Sequence, residues 1–546
     1  MAEPVAHAPQ LIAAPGAAAA IERLPTGVTA FVGRTLRGPV NEATAITSFA
    51  EFQQRFGGLW QPSMLSYAVE QFFDSGGRCA LIVRAVNGGR CATLDLPAGA
   101  GWLRLRGLEP GTREYLRASV DHDGVDSSDL QRFNLVVQRV RMPGTEQIEE
   151  QEIHRRLSVN AADDRYAGDV LAQSRLVRQL DEAPAQRPDR TPGLVPGALV
   201  GYVDSNPDGD DGDELSDYDL IGSAEHRTGL FALEGAPHFD LLCLPPHGRE
   251  RDVGLPALLV ATRLCRSRQA MLIADPPVEW RDADSAIAGL RHWPLQSHDV
   301  CMYFPRVLAQ DRLRGRSECF ASCGAAAGLL ARGDAENPVW GAAAGDAPLL
   351  RAGLRPAVDL TELQRLQLAR EGVNTLLSVR ASRQPAISNY TLLPEAGSRP
   401  ELRYLAVRRL ALFVAASIRA GTRWALLAGS GPATWERLHG QVAAFLEALD
   451  QQGAFVGGTA ADSYFVVCDE RLNPATPGAA GTTVRLLYGF AVLRPGEFQA
   501  WLLTHRPAGS EIQAVSVNRL YTAGARVAAE IETALLRGLD ERQGDD

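Results

Sequence analysis

The segment that most constrains the fold of this chain lies between Arg403 and Asp469. Apolar residues recur there at the spacing of one helix face, and a second apolar set covers the opposite side of the same helix. A helix that is apolar on both sides is typical of an element buried between two layers. The first set is Val407, Leu410, Ala411, Val414 and Ile418, and the second set is Leu405, Leu412 and Ala416.

The residues that follow predict a strand, a turn and a second helix. Gly421 ends the buried helix, residues 424–428 are predicted to form a short interior strand, and residues 429–432 turn the chain. Gly453 ends the second helix, and residues 464–469 are a further predicted strand. The second helix is amphipathic, with an apolar face of Trp435, Leu438, Val442, Phe445, Leu446 and Leu449 and a polar face of Glu436, Arg437, Gln441 and Glu447.

Strand and helix patterns also alternate upstream of this segment. Ser48 stands three residues before Glu51, a spacing typical of a capping box at a helix start. The later strand, helix and strand imply a parallel pair joined by a right-handed crossover. The predicted fold class is therefore α/β, with a mixed sheet flanked by helices. In order, the predicted elements are strand 26–33, helix 48–56, helix 64–73, strand 79–86, strand 239–246, helix 256–265 and strand 270–277.

The character of the chain changes inside this core. Short alternating runs separated by turn residues predict a small β-rich domain inserted on the outer surface. Residues 1–24 are rich in Ala and Pro and carry no period, so they are predicted to form an extended or mobile arm. The predicted divisions are the arm 1–24, core 25–92, inserted outer domain 93–200, acidic loop 201–225, core 226–506, and a tail 507–546 with a helix that places Val527, Ile531 and Leu535 on one face.

A compositional absence excludes several kinds of enzyme. All 55 basic residues of the 546-residue chain are arginine, since the sequence contains no lysine. A Walker-type phosphate loop, a Schiff-base lysine and a lysine general base are therefore excluded together. No G-x-S-x-G motif supports a hydrolase nucleophile. Gly429-x-Gly431 lacks the third glycine of a dinucleotide fingerprint, so we interpret it as a turn.

Charge and hydropathy exclude two further classes of partner. The net charge of -10 argues against a general nucleic-acid-binding protein, which needs a basic face. No apolar run reaches the length of a membrane span, and the first residues lack the features of a signal peptide. We therefore expect synthesis and assembly in the cytoplasm, with neither nucleic acid nor membrane insertion.

The sequence predicts no metal, cofactor or catalytic site. Its eight cysteines are scattered and are expected to be reduced, and Cys319-x-x-x-Cys323 lacks the other ligands of a zinc site. The ten histidines form no H-x-x-x-H pair. Asp204, Asn206, Asp208 and Gly209 match the first half of an EF-hand loop, but position twelve is not acidic. We expect a solvated loop there, with calcium binding as the alternative.

Several stretches resemble the contractile phage-tail sheath proteins and their relatives in extracellular contractile injection systems. The likeness is densest in residues 403–470 and extends over nearly the whole chain, except for the acidic loop and the residues beyond about 506. The matching stretches upstream and at the end are AFVGRTLRGP at 30–39, FNLVV at 133–137 with its LS, VL and SRLV continuation, GAAAGLLARGDAENPVW at 324–340, EGVN at 371–374 and PGEF at 495–498.

This resemblance implies a structural subunit and not an enzyme. Family members assemble as hexameric rings stacked around an inner tube, and contraction of the polymer drives the tube through a target envelope. The implied partners are further copies of the chain, sheath paralogues, the inner tube protein, and baseplate and tail-terminator proteins, with no cofactor. An α/β enzyme, or a tube or shell subunit, is the alternative; a tube protein would be expected to be smaller and mostly β.

The resemblance also implies two sets of contact residues. The final strand is expected to be lent to a neighbouring subunit, and its predicted linking residues are Glu497, Phe498, Ala500 and Leu502. Four arginines near the buried helix, Arg403, Arg408, Arg409 and Arg419, cannot all be buried without partners. They are either exposed or ion-paired helix charges, or some of them face the inner tube.

Overall fold

The computed structural model describes residues 20–144, 147–192, 201–341, 349–351, 353–378, 389–396, 400–473 and 483–515. The chain forms two compact units. The larger unit comprises Gly27–Glu336 and Gly345–Ala396, and the C-terminal unit comprises Met1–Thr26, Asn337–Ala344 and Gly397–Asp546. The segment 226–506, predicted as one part of a single core domain, is thus divided between both units.

The larger unit contains most of the strands. Its described strands are β1 (Val28–Gly33), β2 (Thr44–Ile46), β3 (Cys79–Arg84), β4 (Cys91–Ala98), β5 (Gly101–Pro110), β6 (Leu116–Asp121), β7 (Arg132–Val140), β8 (Ile148–Ser158), β9 (Val177–Gln179), β10 (Val203–Asp204), β11 (Leu241–Cys243), β12 (Met271–Ala274), β13 (Val300–Phe304), β14 (Val307–Asp311), β15 (Arg316–Phe320), β16 (Leu349–Leu350), β17 (Arg355–Pro356), β18 (Val373–Thr375) and β19 (Leu377–Ser378). Its described helices are α1 (Phe49–Phe56), α2 (Met64–Ser75), α3 (Ala167–Leu171), α4 (Asp217–Ile221), α5 (Leu255–Arg268), α6 (Ala283–Leu290), α7 (Cys323–Glu336) and α8 (Glu362–Arg370).

The centre of the larger unit is a sheet in the order β18-β13-β12-β11-β1-β3-β2, counted over the described ranges. Every pair is parallel except β2 with β3, so the sheet is mixed, as predicted. Side chains of β1 alternate between the two faces: Ala30 and Val32 join the apolar cluster that includes α5 and α6, while Phe31 contacts Phe72 of α2. Helices therefore cover both faces, which explains why the central strands are apolar throughout.

Helices α2 and α7 pack unusually closely, and two glycines of the GAAAG motif permit it. A Cβ atom at Gly324 would lie 2.1 Å from the carbonyl oxygen of Ala68, and one at Gly328 would lie 2.4 Å from that of Phe72. Any larger side chain would push α7 away from the α2 backbone. The motif therefore has a packing role in this chain.

Strands β4 to β10 form a β-rich region of the larger unit, which we call the β module. Its two sheets have the orders β10-β6-β7-β8 and β4-β5-β9 in the described ranges. The inward side chains, among them Leu94, Leu103, Phe133 and Leu135, form an apolar cluster of their own. This cluster accounts for the alternating sequence pattern.

The acidic segment is exposed at Asp204, Asp208, Asp213 and Glu214, and it also contacts its neighbours through hydrogen bonds. Asp208 accepts hydrogen bonds from the amide and hydroxyl of Thr93 at 3.0 and 2.7 Å, and Asp211 accepts from those of Thr112 at 2.8 and 2.9 Å. Arg34 donates to the Asp211 carbonyl at 3.1 Å. The carboxylates thus bind separate groups and do not converge on a calcium position. Residues 203–214, the acidic strap, tie the β module to the sheet.

The C-terminal unit combines two long helices with one antiparallel sheet. Its described elements are α9 (Pro400–Arg403), α10 (Leu405–Gly421), α11 (Pro432–Asp450), α12 (Ala460–Ser463), β20 (Tyr464–Val467), β21 (Val484–Ala491), β22 (Phe498–Arg506) and β23 (Gly509–Val515), with a 3₁₀ turn at Arg423–Leu426. Both predicted apolar sets of α10 are buried, which confirms that helix. The predicted strand at 424–428 is wrong, because Arg423–Leu426 is a 3₁₀ turn and Leu427 is exposed.

Two further predictions in this unit also differ from the structure. Gln441, assigned to the polar face of α11, is buried and accepts a hydrogen bond from the Trp424 ring nitrogen at 2.9 Å. Residues 509–515, assigned to the tail, form the strand β23. The predicted helix at Val527, Ile531 and Leu535 lies outside the described residues.

Candidate assembly surfaces

The C-terminal sheet has the order β20-β21-β22-β23 in the described part of the chain. One face packs on α10 and α11 through Leu486, Tyr488, Phe490, Trp501 and Leu503. Tyr488 and Phe490 both stack on Trp501, with ring centroids 5.9 and 4.9 Å apart. Aromatic pairs of this kind make the two central strands a rigid platform.

The predicted linking strand is the third strand of this sheet. β22 pairs with β21 from Phe498 to His505 and with β23 from Ala500 to Arg506. Both of its edges are occupied within its own chain, so its backbone has no free edge to offer a neighbouring subunit. Within one chain β22 is thus a central strand, and its exchange with a neighbouring subunit stays a prediction about the assembled polymer.

The four predicted linking residues have different surroundings. Ala500 is buried, Phe498 and Leu502 are half-buried on the sheet face opposite the helices, and Glu497 precedes the strand and pairs with Arg494. Phe498 packs edge-on against Phe465 of β20, with ring centroids 5.1 Å apart. Phe498, Ala500 and Leu502 thus pack within this sheet, whereas Glu497 is exposed beside it. The edges of the sheet are β20 and β23, and neither has an outer partner among the described residues.

The second face of the sheet is apolar but only partly covered. Leu472, Leu487 and Ala500 are buried there, and the partly buried side chains around them are Phe465, Val467, Leu502 and Val515. An antiparallel sheet usually exposes polar residues on the face away from its core. This face therefore differs from an ordinary solvated sheet surface.

The end of the predicted N-terminal arm is attached to the C-terminal unit. Ile21 is buried in the same apolar cluster as α10, the Leu24 amide donates to Ser417 at 3.3 Å, and Arg23 donates to Gln452 at 2.8 Å. Residues 20–24 are thus part of a folded unit, contrary to the prediction for the whole arm. Residues 1–19 lie outside the described residues.

The four predicted arginines are not solvated. Arg403 and Arg409 are buried, Arg408 and Arg419 are half-buried, and each of the four interacts with another group. Each of these charges therefore has a partner, and both alternatives, exposed or ion-paired helix charges and a contact of some of them with the inner tube, stay predictions. Arg408 and Arg419 alone retain accessible surface for a contact with another protein.

A buried histidine joins the sheet to the end of α10. His505 of β22 shares hydrogen bonds with the Thr422 hydroxyl at 2.9 Å and with Ser510 at 2.7 Å. Thr422 itself donates to the Ile418 carbonyl at 2.6 Å. Burial lowers the pKa of His505 to about 4. The imidazole is therefore neutral at neutral pH and acts as a structural link; sequence analysis did not single it out.

Two kinds of ligand site, a dinucleotide fingerprint and a metal cluster, are not found among the described residues. Gly429 and Gly431 follow a 3₁₀ turn and not a strand, so the fingerprint context is absent. No group of three or more His, Cys, Asp or Glu side chains in the described ranges could hold a metal ion. The eight cysteines are free thiols. No described helix has the length and hydropathy of a membrane span.

Comparison with known proteins gives a fold and no sequence family. No family model matches the chain, and no curated protein matches it in sequence. The solved structure of a sheath tail protein from Listeria innocua aligns with a TM-score of 0.56 at 12% identity, covering 88% of this chain and 94% of that one. The chain has the tail-sheath fold. This result confirms the resemblance noted in the sequence at the level of fold.

Two further sheath structures align more weakly. The sheath complex of the extracellular contractile injection system PVC in its contracted state gives a TM-score of 0.48 at 14% identity, covering 91% of this chain and 97% of that one. The helical sheath of the anti-feeding prophage in its contracted state also gives 0.48, at 16% identity, with the same coverage.

Proposed function

We propose that this chain is a structural subunit of a contractile tail sheath and not an enzyme. The observation that carries this proposal is the tail-sheath fold, which aligns over most of the chain. The subunits would form hexameric rings stacked helically around an inner tube and attached to a baseplate and a terminator. Two packings of the same rigid units, one extended and one contracted, would supply the stroke without a nucleotide.

The proposed link between subunits uses the sheet edges. β20 and β23 each present an edge with no described outer partner, and such an edge can accept a strand from another chain. The donor segments would be residues 1–19 and 516–546 of neighbouring subunits. Because β22 stays bonded on both sides within its own sheet, the C-terminal unit keeps its fold while its edges are joined to other copies.

The proposed contact with the inner tube is confined to two of the four arginines. Arg408 and Arg419 retain accessible surface, whereas Arg403 and Arg409 are buried, and all four interact with other groups of the chain. Charge reversal at Arg408 and Arg419 should abolish co-assembly with the tube and leave tube-free polymer intact. Equal loss of both kinds of assembly, or of neither, would remove this part of the proposal.

Electron microscopy of the purified full-length protein tests the proposal directly. We expect hollow cylinders to form as the protein concentration rises, without nucleotide or metal. Two proline variants of β23, Ile512→Pro and Gln513→Pro, test the edge link. Backbone amides of successive strand residues point alternately toward β22 and away from it, so one variant removes an amide that faces β22 and the other removes an amide on the outer edge. The variant that removes the outer-edge amide should keep the stability of the monomer and fail to polymerise. A protein that stays monomeric at all concentrations contradicts the proposal.

A further inference from the structure

The second face of the C-terminal sheet is apolar across all four strands. Strand pairing aligns two rows of residues on it, each in the order β20, β21, β22 and β23. One row is Phe465, Gly489, Ala500 and Val515, and the other is Val467, Leu487, Leu502 and Gln513. The residues with only partial burial are Phe465, Val467, Leu502 and Val515. An apolar sheet face of this extent favours a further packed layer.

The apolar band on this face is about as wide as one helix. A third row, in which Ala491 pairs with Phe498, continues the band in one direction, and Arg485 and Glu511 end it in the other. Three rows along the strands span about 13 Å, and four strands side by side span about 14 Å. Since a helix with its side chains is about 10 Å across, one helix fills the band.

The tail of the chain starts at this face. Val515, the last described residue, belongs to the apolar band, and residues 516–546 follow it. The sequence of the tail predicts a helix over residues 525–537, between Gly524 and Gly538. The predicted helix is amphipathic, with an apolar stripe of Val527, Ile531 and Leu535 and an opposite polar stripe of Arg526, Glu530, Thr533 and Arg537.

Length and attachment favour the tail as the element that covers the band. A single helix shorter than about 15 residues is only marginally stable in water, so the apolar stripe needs a surface to pack on. The spacer 516–524 reaches up to about 30 Å, which is more than the width of the sheet. Because the spacer tethers the helix to β23, docking on the same sheet is intramolecular and is favoured by a high effective concentration. The first face is already packed against α10 and α11.

We propose that, before assembly, residues 525–537 form a helix that covers the second face of the C-terminal sheet of the same chain. The apolar stripe of the helix packs on the half-buried residues of the band, and the polar stripe faces water. The C-terminal unit then has three layers, with helices on both faces of its sheet. This proposal concerns the single subunit and does not depend on the proposed sheath function. In the polymer, the tail leaves this face where it pairs with the sheet edge of a neighbour.

Hydrogen exchange of the full-length protein, at a concentration where sedimentation shows a monomer, tests the docked helix. Backbone amides in residues 528–537 should exchange at least about tenfold more slowly than in a free peptide of residues 516–546. Ile531→Asp places a charge in the apolar stripe and should raise the exchange rate to that of the free peptide. Thr533→Asp places the same charge in the polar stripe and should leave the exchange rate unchanged.

Two adjacent valines of β20 locate the docking surface. Val467 lies on the second face and Val466 on the face that packs against the helices, and both are partly buried. Val467→Ala removes apolar contact area from the band and should speed exchange in residues 528–537 roughly fivefold. Val466→Ala removes the same atoms from the opposite face and should leave exchange in these residues unchanged.

Three results would overturn the proposal. The first is a native monomer in which residues 528–537 exchange at the rate of the free peptide. The second is equal exchange of these residues in the two valine variants, which would place the helix on another surface. The third is protection that rises with protein concentration, which would assign the second face to the tail of another copy of the chain.

Discussion

The two units of this chain use their sheets in different ways. The central sheet of the larger unit ends in β18 and β2, which have three residues each, and helices cover both of its faces. The C-terminal sheet ends in the seven-residue β23 and has a partly covered apolar second face. Very short edge strands protect a sheet from pairing with other chains, whereas a longer open edge invites it. The C-terminal sheet is therefore the one whose edge can accept a further strand, as the proposed link between subunits requires.

The largest expected effect comes from two nested N-terminal deletions. Removing residues 1–19 should abolish polymerisation and leave the melting temperature of the monomer nearly unchanged, because no described core residue is lost. Removing residues 1–24 should also destabilise the C-terminal unit by about 2 kcal/mol or more, since Ile21 fills its core. Calorimetry and electron microscopy separate the two effects. Normal cylinders from the shorter deletion would show that the arm is not a link.

Two arginines of the β module should differ sharply on truncation. Arg139→Ala leaves the buried carboxylates of Glu109 and Glu114 and the half-buried carboxylate of Glu150 without their cation, and it should cost about 3–5 kcal/mol in the free energy of unfolding. Arg190→Ala removes an exposed pair with Asp123 and should cost less than about 0.5 kcal/mol. Denaturant titration of both variants makes this comparison. Similar losses of unfolding free energy in both variants would mean that the ion pairs of Arg139 contribute no more to stability than an exposed ion pair does.

Helix α7 offers a matched pair of glycine substitutions. Gly324→Ala places a methyl group against the α2 backbone and should destabilise the larger unit by roughly 1–3 kcal/mol. Gly333→Ala lies in the same helix with nothing within 4 Å of the new atom, so it should stabilise by up to about 1 kcal/mol. Thermal unfolding measures both changes. Equal effects would contradict the close packing of α2 and α7.

The two units should respond to pH in opposite directions. The pKa of His505 is lowered on folding, so the stability of the C-terminal unit should be complete above about pH 6.5 and fall by up to roughly 3 kcal/mol as pH drops through about 4. Folding raises the pKa of Glu114 from its ordinary value of 4.5 to about 7. Its contribution to the stability of the larger unit should therefore be complete below about pH 4.5 and be lost as pH rises through about 7. Calorimetry across this pH range checks both effects. His505→Gln should abolish only the pH dependence of the C-terminal unit, and Glu114→Gln should abolish only that of the larger unit.

How much of the fold and of the candidate assembly surfaces could be predicted from the sequence depends on the length of each sequence pattern. Helix α10 was predicted because its 17 residues repeat the helical spacing several times. The run at 424–428 was misread because a short apolar run does not distinguish a strand from a buried turn. β23 carries Ser510, Glu511 and Gln513 and has no strand-like composition. The same limit applies to the assembly surface, since the pairing partners of β22 are set by contacts far along the chain.

A structure of the assembled polymer tests the central claim most directly. We expect a helical cylinder in which a segment of a neighbouring subunit pairs with the outer edge of β20 or β23. In that cylinder β22 should stay bonded to β21 and β23 of its own chain. A cylinder in which both edges lack a strand from another subunit, or in which β22 itself has moved into a neighbour, would contradict it.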